Sequence, residues 1–499
     1  MFDQTQMGDY MQSKFKTQVV VLGSGPAGYS SAFRCADLGL QTILVERFSK
    51  VGGVCLNVGC IPSKTLLNIS KIIQESNWLF NSGILCMENK ICVQKIRELK
   101  EKVVSRIANN LYKMICDRKI KFIQGNGKFI SSNSIMVENE EEDCEISFEN
   151  AIIATGSHPT KLPRTVDILD MDSDGNKKIW SSDQALEIRE IPKSILVIGG
   201  GIIGLEIGTI YHTLGSKIDI VEVEERLLPM VEDEVSQFYM KDVSKKFNIM
   251  LNTRVTKILY NQKEISVIMK DRVNQDITKK YDKLLLAIGR TPNSDSINLD
   301  KIGISIDEKG FIKTNSQMKT NISHIYAVGD VAGSPMLAHK GMHEGHIAAE
   351  VIYGMNHYFD PYIIPSIAYT DPEIAWLGLT EEEAKRQNIV FETSTVPWGA
   401  LGKAISSNHT NGMTKIIFDK KTKRILGGSI VGVNGGELIG EIGLAIEMGC
   451  SAEDIALTIH AHPTLYESIG MASKMFEGSI TDLPNKKSMI YKEYENKKC

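Results

Sequence analysis

Two stretches of the chain, VVVLGSGPAGYSSAFRCADLGLQTILVER from Val19 and ILVIGGGIIGLEIGTIYHTLGSKIDIVEV from Ile195, match each other at a constant offset. Gly23, Gly25 and Gly28 answer to Gly199, Gly201 and Gly204, Leu38-Gly39 answers to Leu214-Gly215, and Glu46 answers to Glu222. Each stretch reads as an apolar strand, a glycine turn, a helix and a second strand that ends on a carboxylate. That order calls for a βαβ unit, and each glycine has its own reason. The first permits a tight turn, the second lets a pyrophosphate approach backbone N–H groups, and the third lets the helix lie close on the strand. The helix N-terminus then faces the anion. An acid at the end of the second strand accepts hydrogen bonds from both ribose hydroxyls and repels a 2′-phosphate, so Glu222 favours NAD over NADP. One such glycine pattern also occurs as an ordinary turn in unrelated α/β units. Two copies in register define two dinucleotide sites, which suggests two cofactors exchanging electrons.

A chain of 499 residues exceeds what one core organises, so roughly two to four domains are expected. The formal net charge of -4 provides no basic field, and the tail NKKSMIYKEYENKKC mixes both signs, which argues against a nucleic-acid partner. The opening MFDQTQMGDYMQSKFKTQ has no apolar centre and no arginine, unlike a secretory or transit segment, so a cytoplasmic protein is expected. Its first sixteen residues read as a tail or a start-site choice, with Met11 as the alternative start. No apolar run approaches bilayer-spanning length, so no membrane insertion is expected. The nine cysteines, Cys35, Cys55, Cys60, Cys86, Cys92, Cys116, Cys144, Cys450 and Cys499, form an odd set without the spacing of a disulfide scaffold.

Cys55 and Cys60 stand out within GGVCLNVGCIPSK, residues 52 to 64. Pro62 suits a first helical position, which puts Cys60 at or just before a helix N-terminus, where the dipole lowers a thiol pKa. Two sulfurs at this spacing meet only if the intervening LNVG bends, and Gly59 makes that feasible. Three readings compete: buried thiols, half a zinc site, and a redox-active disulfide. Zinc lacks a second Cys/His pair nearby in sequence. Inert thiols are the common fate of cysteines in a cytosol-like chain, yet the helix start and the two dinucleotide sites favour redox exchange.

Further candidates are polar residues at element ends. In NISHIYAVGDVAG an apolar strand delivers Asp330 into a Gly-Asp turn, where a carboxylate can bind the ribityl chain of a cofactor or simply close the turn. HAHPTLYE offers His460 and His462, with Glu467 five residues beyond the second, an arrangement suited to proton removal near neutral pH. The competing reading makes Thr464 to Glu467 a capping box and Pro463 helix punctuation. His339, His343 and His346 fall on one face of a probable helix and imitate a metal site, but packing is favoured and no metal is expected. ENEEEDCE reads as a solvated hairpin tip and DMDSDGNKK as a surface loop. VQKIRELKEKVVSRIANNLYKMI has helical apolar period and belongs in the first domain, while MTKIIF and ILGGSIVG read as strands.

GGVCLNVGCIPSK, the two βαβ repeats, AVGDV and the closing HAHPTLYESIGMASKMFEGSITDLPN together resemble the dihydrolipoamide dehydrogenase family in its bacterial form, over residues 17 to 486. The resemblance implies an α/β fold with two Rossmann-like dinucleotide-binding domains and a C-terminal α+β dimerisation domain. Its expected boundaries are 17–157 for the first part of the FAD domain, 158–287 for the NAD domain, 288–358 for the second, central part of the FAD domain, and 359–486 for the interface domain. It makes Cys55 the sulfur that exchanges with dihydrolipoamide and Cys60 the one against the flavin, with Lys64 and Glu206 an ion pair near the flavin ring. Gly127 in QGNGKF, Thr155 and Gly156 in AIIATGS, Asp330 and Ala338 match FAD contacts, whereas Val255 and Ala287, Gly289 and Arg290 of AIGR match the NAD side. It makes His462 the base and Glu467 its partner, acting across a homodimer, and leaves His460 structural. Tyr466 departs from relatives that carry histidine there. The implied partners are lipoyl domains and the acyltransferase core of 2-oxo acid dehydrogenase complexes.

The same fold also hosts NAD(P)H-dependent disulfide and mercuric reductases, and a non-catalytic scaffold subunit is a rival of another class. Glu222 opposes NADPH, Cys499 has no paired C-terminal cysteine beside it, and the chemical residues are all intact. The expected outcome is a clear preference for NADH over NADPH in dye reduction, read at 340 nm. A preference for NADPH would contradict the reading of Glu222.

Overall fold

The computed structural model describes residues 13–86, 90–139, 142–169, 178–261 and 264–489. The sequence readings for the extreme N-terminus with Met11, for most of DMDSDGNKK, for the centre of ENEEEDCE and for Cys499 lie outside the described residues. The chain divides into two compact units, one of residues 1–65, 94–160 and 290–360, the other of residues 66–93, 161–289 and 361–499.

The first unit is built on a seven-stranded sheet. Ser13–Leu22 lies at its centre, parallel to Thr42–Glu46 on one side and to Cys144–Ile153 on the other. Lys121–Gln124 extends the parallel run beyond Thr42–Glu46, and Ile325–Ala327 pairs in parallel with Cys144–Ile153. The antiparallel strands Asn126–Ser131 and Ser134–Glu138 complete it. Successive residues of the central strands are buried on opposite faces. Val20, Leu22, Ile43 and Val45 join Phe129, Ile135 and Ile146 on one side, and Val19, Val21 and Leu44 join Phe33, Ile115 and Ala348 on the other. Both faces are covered, as a parallel sheet requires, which explains the unbroken apolar run VVVL. Helix Pro26–Asp37 fills the first crossover, with Pro26 at its opening position and Gly25 in extended geometry before it.

The second unit repeats this plan. Ser194–Ile198 is flanked in parallel by Lys217–Val221 and Lys283–Leu286, with Asn248–Met250 and Ile179–Trp180 at the edges. Helix Ile202–Thr213 takes the crossover position. The separate sheet formed by Arg254–Asn261, Glu264–Lys270, Asp276–Tyr281 and Asp167–Leu169 covers one side through Val255, Ile258, Val267 and Met269, packed with Leu196, Ile198 and Leu284. The C-terminal part has a five-stranded antiparallel sheet in the order Ser366–Ala368, Glu373–Gly378, Ile425–Gly432, Met413–Asp419, Phe391–Pro397. Helices Gly435–Glu447 and Glu467–Glu477 contribute to the core around it.

The fully buried Trp398 is central to that core. A Cβ at Gly412 or Gly432 would approach its ring to 2.5 or 2.3 Å, so these glycines leave the volume the indole occupies. Its Nε1 donates to Thr414 Oγ1 at 3.0 Å, and Thr414 Oγ1 lies 2.7 Å from Ser468 Oγ on helix Glu467–Glu477. Trp398→Ala should destabilise the C-terminal part by about 3–5 kcal/mol through the cavity left behind. Urea unfolding followed by tryptophan-independent circular dichroism would read the loss.

Candidate active site

The two glycine cradles have the same geometry. Gly23 adopts φ +102° and Gly199 φ +110°, and a Cβ at these positions would fall 2.3 Å from Ala154 O and 2.4 Å from Ala287 O respectively. Only glycine turns the chain this tightly against the neighbouring strand. Gly28 and Gly204 likewise face the carbonyls of Gly23 and Gly199, where a Cβ would lie 1.8 and 2.3 Å away. The acids also correspond. Glu46 Oε2 accepts from Ser24 N at 2.9 Å, and Glu222 Oε2 accepts from Gly200 N at 2.6 Å. The other oxygens accept from Phe48 N and Glu224 N, each at 3.0 Å. Both carboxylates are therefore oriented by backbone before any ligand arrives. Gly201 has no atom within 4 Å of its Cβ direction, and neither has Gly156, so each opens toward space that a ligand can occupy. Backbone donors, open glycine faces and oriented acids fit a dinucleotide at each cradle.

In the first unit the cysteine segment lies directly on the cradle. Gly53, at φ +59°, would place a Cβ 2.6 Å from Gly25 Cα, so the two backbones approach closely only because both residues are glycine. Gly52 N donates to Ser24 O at 3.0 Å and to Ser24 Oγ at 3.2 Å, and Ser24 Oγ donates to Glu46 Oε2 at 2.7 Å. Ser24 thus ties the acid, the cradle and the cysteine segment together. Cys55 sits in the short helix Gly53–Val58 and Cys60 opens the helix Cys60–Asn81, with Gly59 at the bend between them. Asn57 fixes the bend by donating from Nδ2 to Val51 O at 3.0 Å and Gly53 O at 2.9 Å.

Both cysteines are thiols in the structure, with no disulfide between them. A hydrogen bond to Cys60 raises the Cys55 pKa well above that of an ordinary thiol, burial adds to this, the nearby Lys64 charge opposes it and the Asp330 carboxylate reinforces it. Tyr29, in the helix after the third glycine, is raised first by burial and then by the two cysteines. The pair, Lys64, Asp330 and Tyr29 accordingly share one electrostatic environment.

Asp330 lies in the single turn Gly329–Val331 that follows strand Ile325–Ala327. Its Oδ2 accepts from Ser157 Oγ at 2.5 Å, and Ser157 Oγ accepts from Arg290 Nε at 2.7 Å. Arg290, matched in sequence to the NAD side, belongs to the first unit, where Arg290–Pro292 pairs with Ser157–Pro159. Asn293 pins the segment Thr155-Gly156: its N donates to Gly156 O at 2.9 Å, its Nδ2 to Thr155 O at 2.8 Å, and its O accepts from Thr155 Oγ1 at 2.7 Å. Gly127 faces inward, where a Cβ would meet Leu22 at 2.7 Å, so its backbone rather than an open face is available to a ligand. Ala338 opens the helix Ala338–Tyr353.

In the second unit Ala287 N donates to Ile198 O at 2.8 Å beside the cradle, and Gly289 follows with φ +119°. Val255 points into the core and can offer only backbone. Glu206 is buried and accepts from Tyr369 N at 2.9 Å. His462 Nδ1 lies 2.9 Å from Glu467 Oε1, with the histidine side chain 77% exposed. Glu467 Oε2 accepts from Thr464 N at 2.6 Å, which is half of the capping box, while the helix itself begins at Glu467. Burial pushes the Glu467 carboxyl up, but the Thr464 amide and the His462 ring outweigh it and hold its pKa below the usual carboxylate value. The carboxylate therefore fixes the imidazole through Nδ1 and leaves Nε2 as the basic nitrogen. The His460 side chain is largely covered, hydrogen-bonded through Nε2 to Glu441 at 2.9 Å and through Nδ1 to Thr458 O at 2.9 Å. The Tyr466 hydroxyl accepts from Ala461 N at 2.9 Å and closes the loop around His462. Among the described residues no group of three His, Cys, Asp or Glu side chains is placed to hold a metal.

Ser24, Tyr29, Asn57, Ser157 and Asn293 are the contributors that motif reading misses. Ser24 alone leaves a trace, since it stands between two cradle glycines.

These features define a flavoprotein-type disulfide oxidoreductase fold with two dinucleotide cradles. Residues 17–345 match the model of the pyridine nucleotide-disulphide oxidoreductases and residues 364–473 match that of their dimerisation domain. The dihydrolipoyl dehydrogenase of Vibrio parahaemolyticus is 55% identical over 479 residues, covering 96% of this chain and 99% of the relative. That of Bacillus subtilis is 36% identical over 474 residues, covering 95% and 98%. The HOCl-induced flavoprotein disulfide reductase RclA of Escherichia coli superposes with a TM-score of 0.81 at 26% identity, covering 92% of this chain and 99% of that one. The chain belongs to the pyridine nucleotide-disulphide oxidoreductases and, among them, to the dihydrolipoyl dehydrogenase family.

The electrostatics of Cys55 are open to direct test. Asp330→Asn removes a charge that disfavours the thiolate, so alkylation of Cys55 in the reduced protein should shift to lower pH. Lys64→Met removes a charge that favours it and should shift alkylation to higher pH. Mass spectrometry after iodoacetamide pulses across a pH series would show both directions.

Proposed function

We propose that the chain is a dihydrolipoyl dehydrogenase that oxidises dihydrolipoamide carried on lipoyl domains and reduces NAD, acting as a cytoplasmic homodimer within 2-oxo acid dehydrogenase complexes. The observation that carries this reading is the cysteine pair laid on the first cradle, with Cys55 and Cys60 hydrogen-bonded to one another and Gly53 against Gly25. A second cradle with its own acid supplies the NAD site. No helix among the described residues is long and apolar enough to cross a membrane.

In the oxidised enzyme Cys55 and Cys60 form a disulfide. His462 Nε2 takes a proton from one thiol of dihydrolipoamide, and the thiolate attacks the Cys55 sulfur. The Cys55–Cys60 bond breaks, Cys60 leaves with the electron pair as thiolate, and a mixed disulfide joins Cys55 to the substrate. The second substrate thiol, once deprotonated, attacks its own neighbouring sulfur. This closes the lipoamide ring and releases Cys55 as a thiolate that takes up a proton. Two electrons have then passed from substrate to cysteine pair. Glu467 keeps the imidazole oriented and stabilises its cation while the proton is held. The exposure of His462 in one chain accords with a base that acts on the cysteine pair of a second copy. FAD, when bound, would be held by Glu46, the Gly23–Gly28 cradle, Thr155, Gly156 and Asp330 and would supply two-electron chemistry between a dithiol and a nicotinamide, while Gly199–Gly204 and Glu222 would hold NAD. Glu222 excludes a 2′-phosphate from that seat, which opposes the NADPH-dependent alternative.

Cys55→Ser and Cys60→Ser should each abolish dihydrolipoamide-dependent NADH formation while NADH-driven dye reduction persists. Loss of lipoamide turnover together with dye reduction would indicate misfolding, and retention of lipoamide turnover would overturn the reading. Glu467→Gln should lower kcat by roughly 100-fold with little change in the KM for NAD, in line with the loss of an oriented base. Steady-state assays in the dihydrolipoamide direction would measure it.

A further inference from the structure

Helix Ala338–Tyr353 carries an ion pair that no step of the mechanism uses. Lys340 Nζ lies 2.5 Å from Glu344 Oε1, one helical turn apart, and both side chains are almost completely buried at 6% and 4% exposure. A buried pair of this kind seldom persists for stability alone, because desolvation offsets most of its attraction. Each partner here has a second bond, and both second bonds end on the same short segment. Glu344 Oε2 accepts from Gly329 N at 2.7 Å, immediately before Asp330. Lys340 Nζ donates to Gly333 O at 3.3 Å, three residues after it. The pair therefore grips the Asp330 turn at both ends.

Packing leaves the turn no other seat. A Cβ at Gly329 would come 2.9 Å from Ala27 Cβ, and one at Gly341 would come 3.1 Å from both Ala27 Cβ and Gly329 Cα. The turn is thus pressed between helix Pro26–Asp37, which begins at the first cradle, and helix Ala338–Tyr353. Ser157 holds the Asp330 carboxylate from its other side. Burial raises the Glu344 pKa while Lys340 and the Gly329 amide counter it, so its charge depends on the same bonds that fix the turn.

We propose that Lys340 and Glu344 are positioning residues for the flavin site, an intrahelical staple that sets where the Asp330 carboxylate meets the cofactor. This rests on the reading of Asp330 as a flavin ligand. Breaking either end frees the turn and weakens retention of FAD without removing any group that touches it.

The test titrates the full chain, stripped of flavin, with FAD and follows flavin fluorescence, with far-ultraviolet circular dichroism of each flavin-free variant as the fold control. Lys340→Met and Glu344→Ala should each raise the FAD dissociation constant about tenfold or more, since each leaves a buried partner uncompensated. The double variant Lys340→Met/Glu344→Gln leaves no lone charge and keeps an acceptor for Gly329 N. It should bind FAD more tightly than Lys340→Met alone, yet several-fold more weakly than the native chain. A purely structural pair would lower the unfolding temperature of the flavin-free variants and leave FAD affinity within twofold, which would overturn the proposal. Where a single variant fails to fold, the double variant decides, and native affinity there refutes the staple. Asp330→Asn separates the two readings. If it weakens FAD binding and the staple variants do not, only the staple falls. If it has no effect either, the flavin role of Asp330 falls and the staple with it.

Discussion

The approach of Gly53 to Gly25 is the contact on which the chemistry depends. A Cβ on Gly53 would sit 2.6 Å from Gly25 Cα, so any side chain there would push the cysteine segment off the cradle. The cradle binds through backbone N–H groups, which are fixed in direction and cannot follow a displaced partner. Redox exchange between a thiol pair and a bound cofactor requires van der Waals approach, and two adjacent glycine backbones are the most compact means of providing it. Ser24 then converts proximity into rigidity, because its carbonyl and hydroxyl both hold Gly52 while its amide and hydroxyl both hold Glu46.

Electrostatics around the pair pull in opposite directions. The Asp330 carboxylate disfavours a thiolate at Cys55, and Lys64 favours it. The Asp330 carboxylate thus works against the neighbouring thiolate, and Lys64 near the start of the next helix offsets that cost. The histidine–carboxylate pair is arranged differently. Glu467 opens a helix whose Ile469, Ala472 and Phe476 are buried in the C-terminal core, so its carboxylate has little freedom. His462 projects into solvent on a loop closed by Tyr466. A rigid carboxylate holding an exposed imidazole provides orientation without burying the ring.

The two βαβ units were legible in the sequence because their requirements are local. Turn, close packing and anion approach each forbid a side chain at one position, and the prohibition appears as glycine in a fixed register. The cysteine pair and the His462/Glu467 pair were legible for a similar reason, since each lies within a few residues along the chain. Arg290 shows where local reading stops. It ends the AIGR motif that follows the second cradle's strand, and its guanidinium donates to Ser157, whose hydroxyl in turn donates to Asp330. Pairing of Arg290–Pro292 with Ser157–Pro159 decides this, and such pairing of segments more than a hundred residues apart leaves no mark in spacing. His339, His343 and His346 show the converse: helical period suggested a shared face, but period alone says nothing of what that face meets.

The sequence by itself determined two dinucleotide cradles, the acids that end them, a thiol pair at a helix start and a histidine with a carboxylate in reach. These follow from steric exclusion and short-range spacing, which the order of residues encodes directly. Only the tertiary structure decided that Ser24 joins acid to cysteine segment, that Asn293 pins Thr155 and Gly156, and that Lys340 and Glu344 clasp the Asp330 turn. Hydrogen bonds of this kind depend on where separate elements come to rest, and that placement is settled by burial of both sheet faces rather than by any local run of residues.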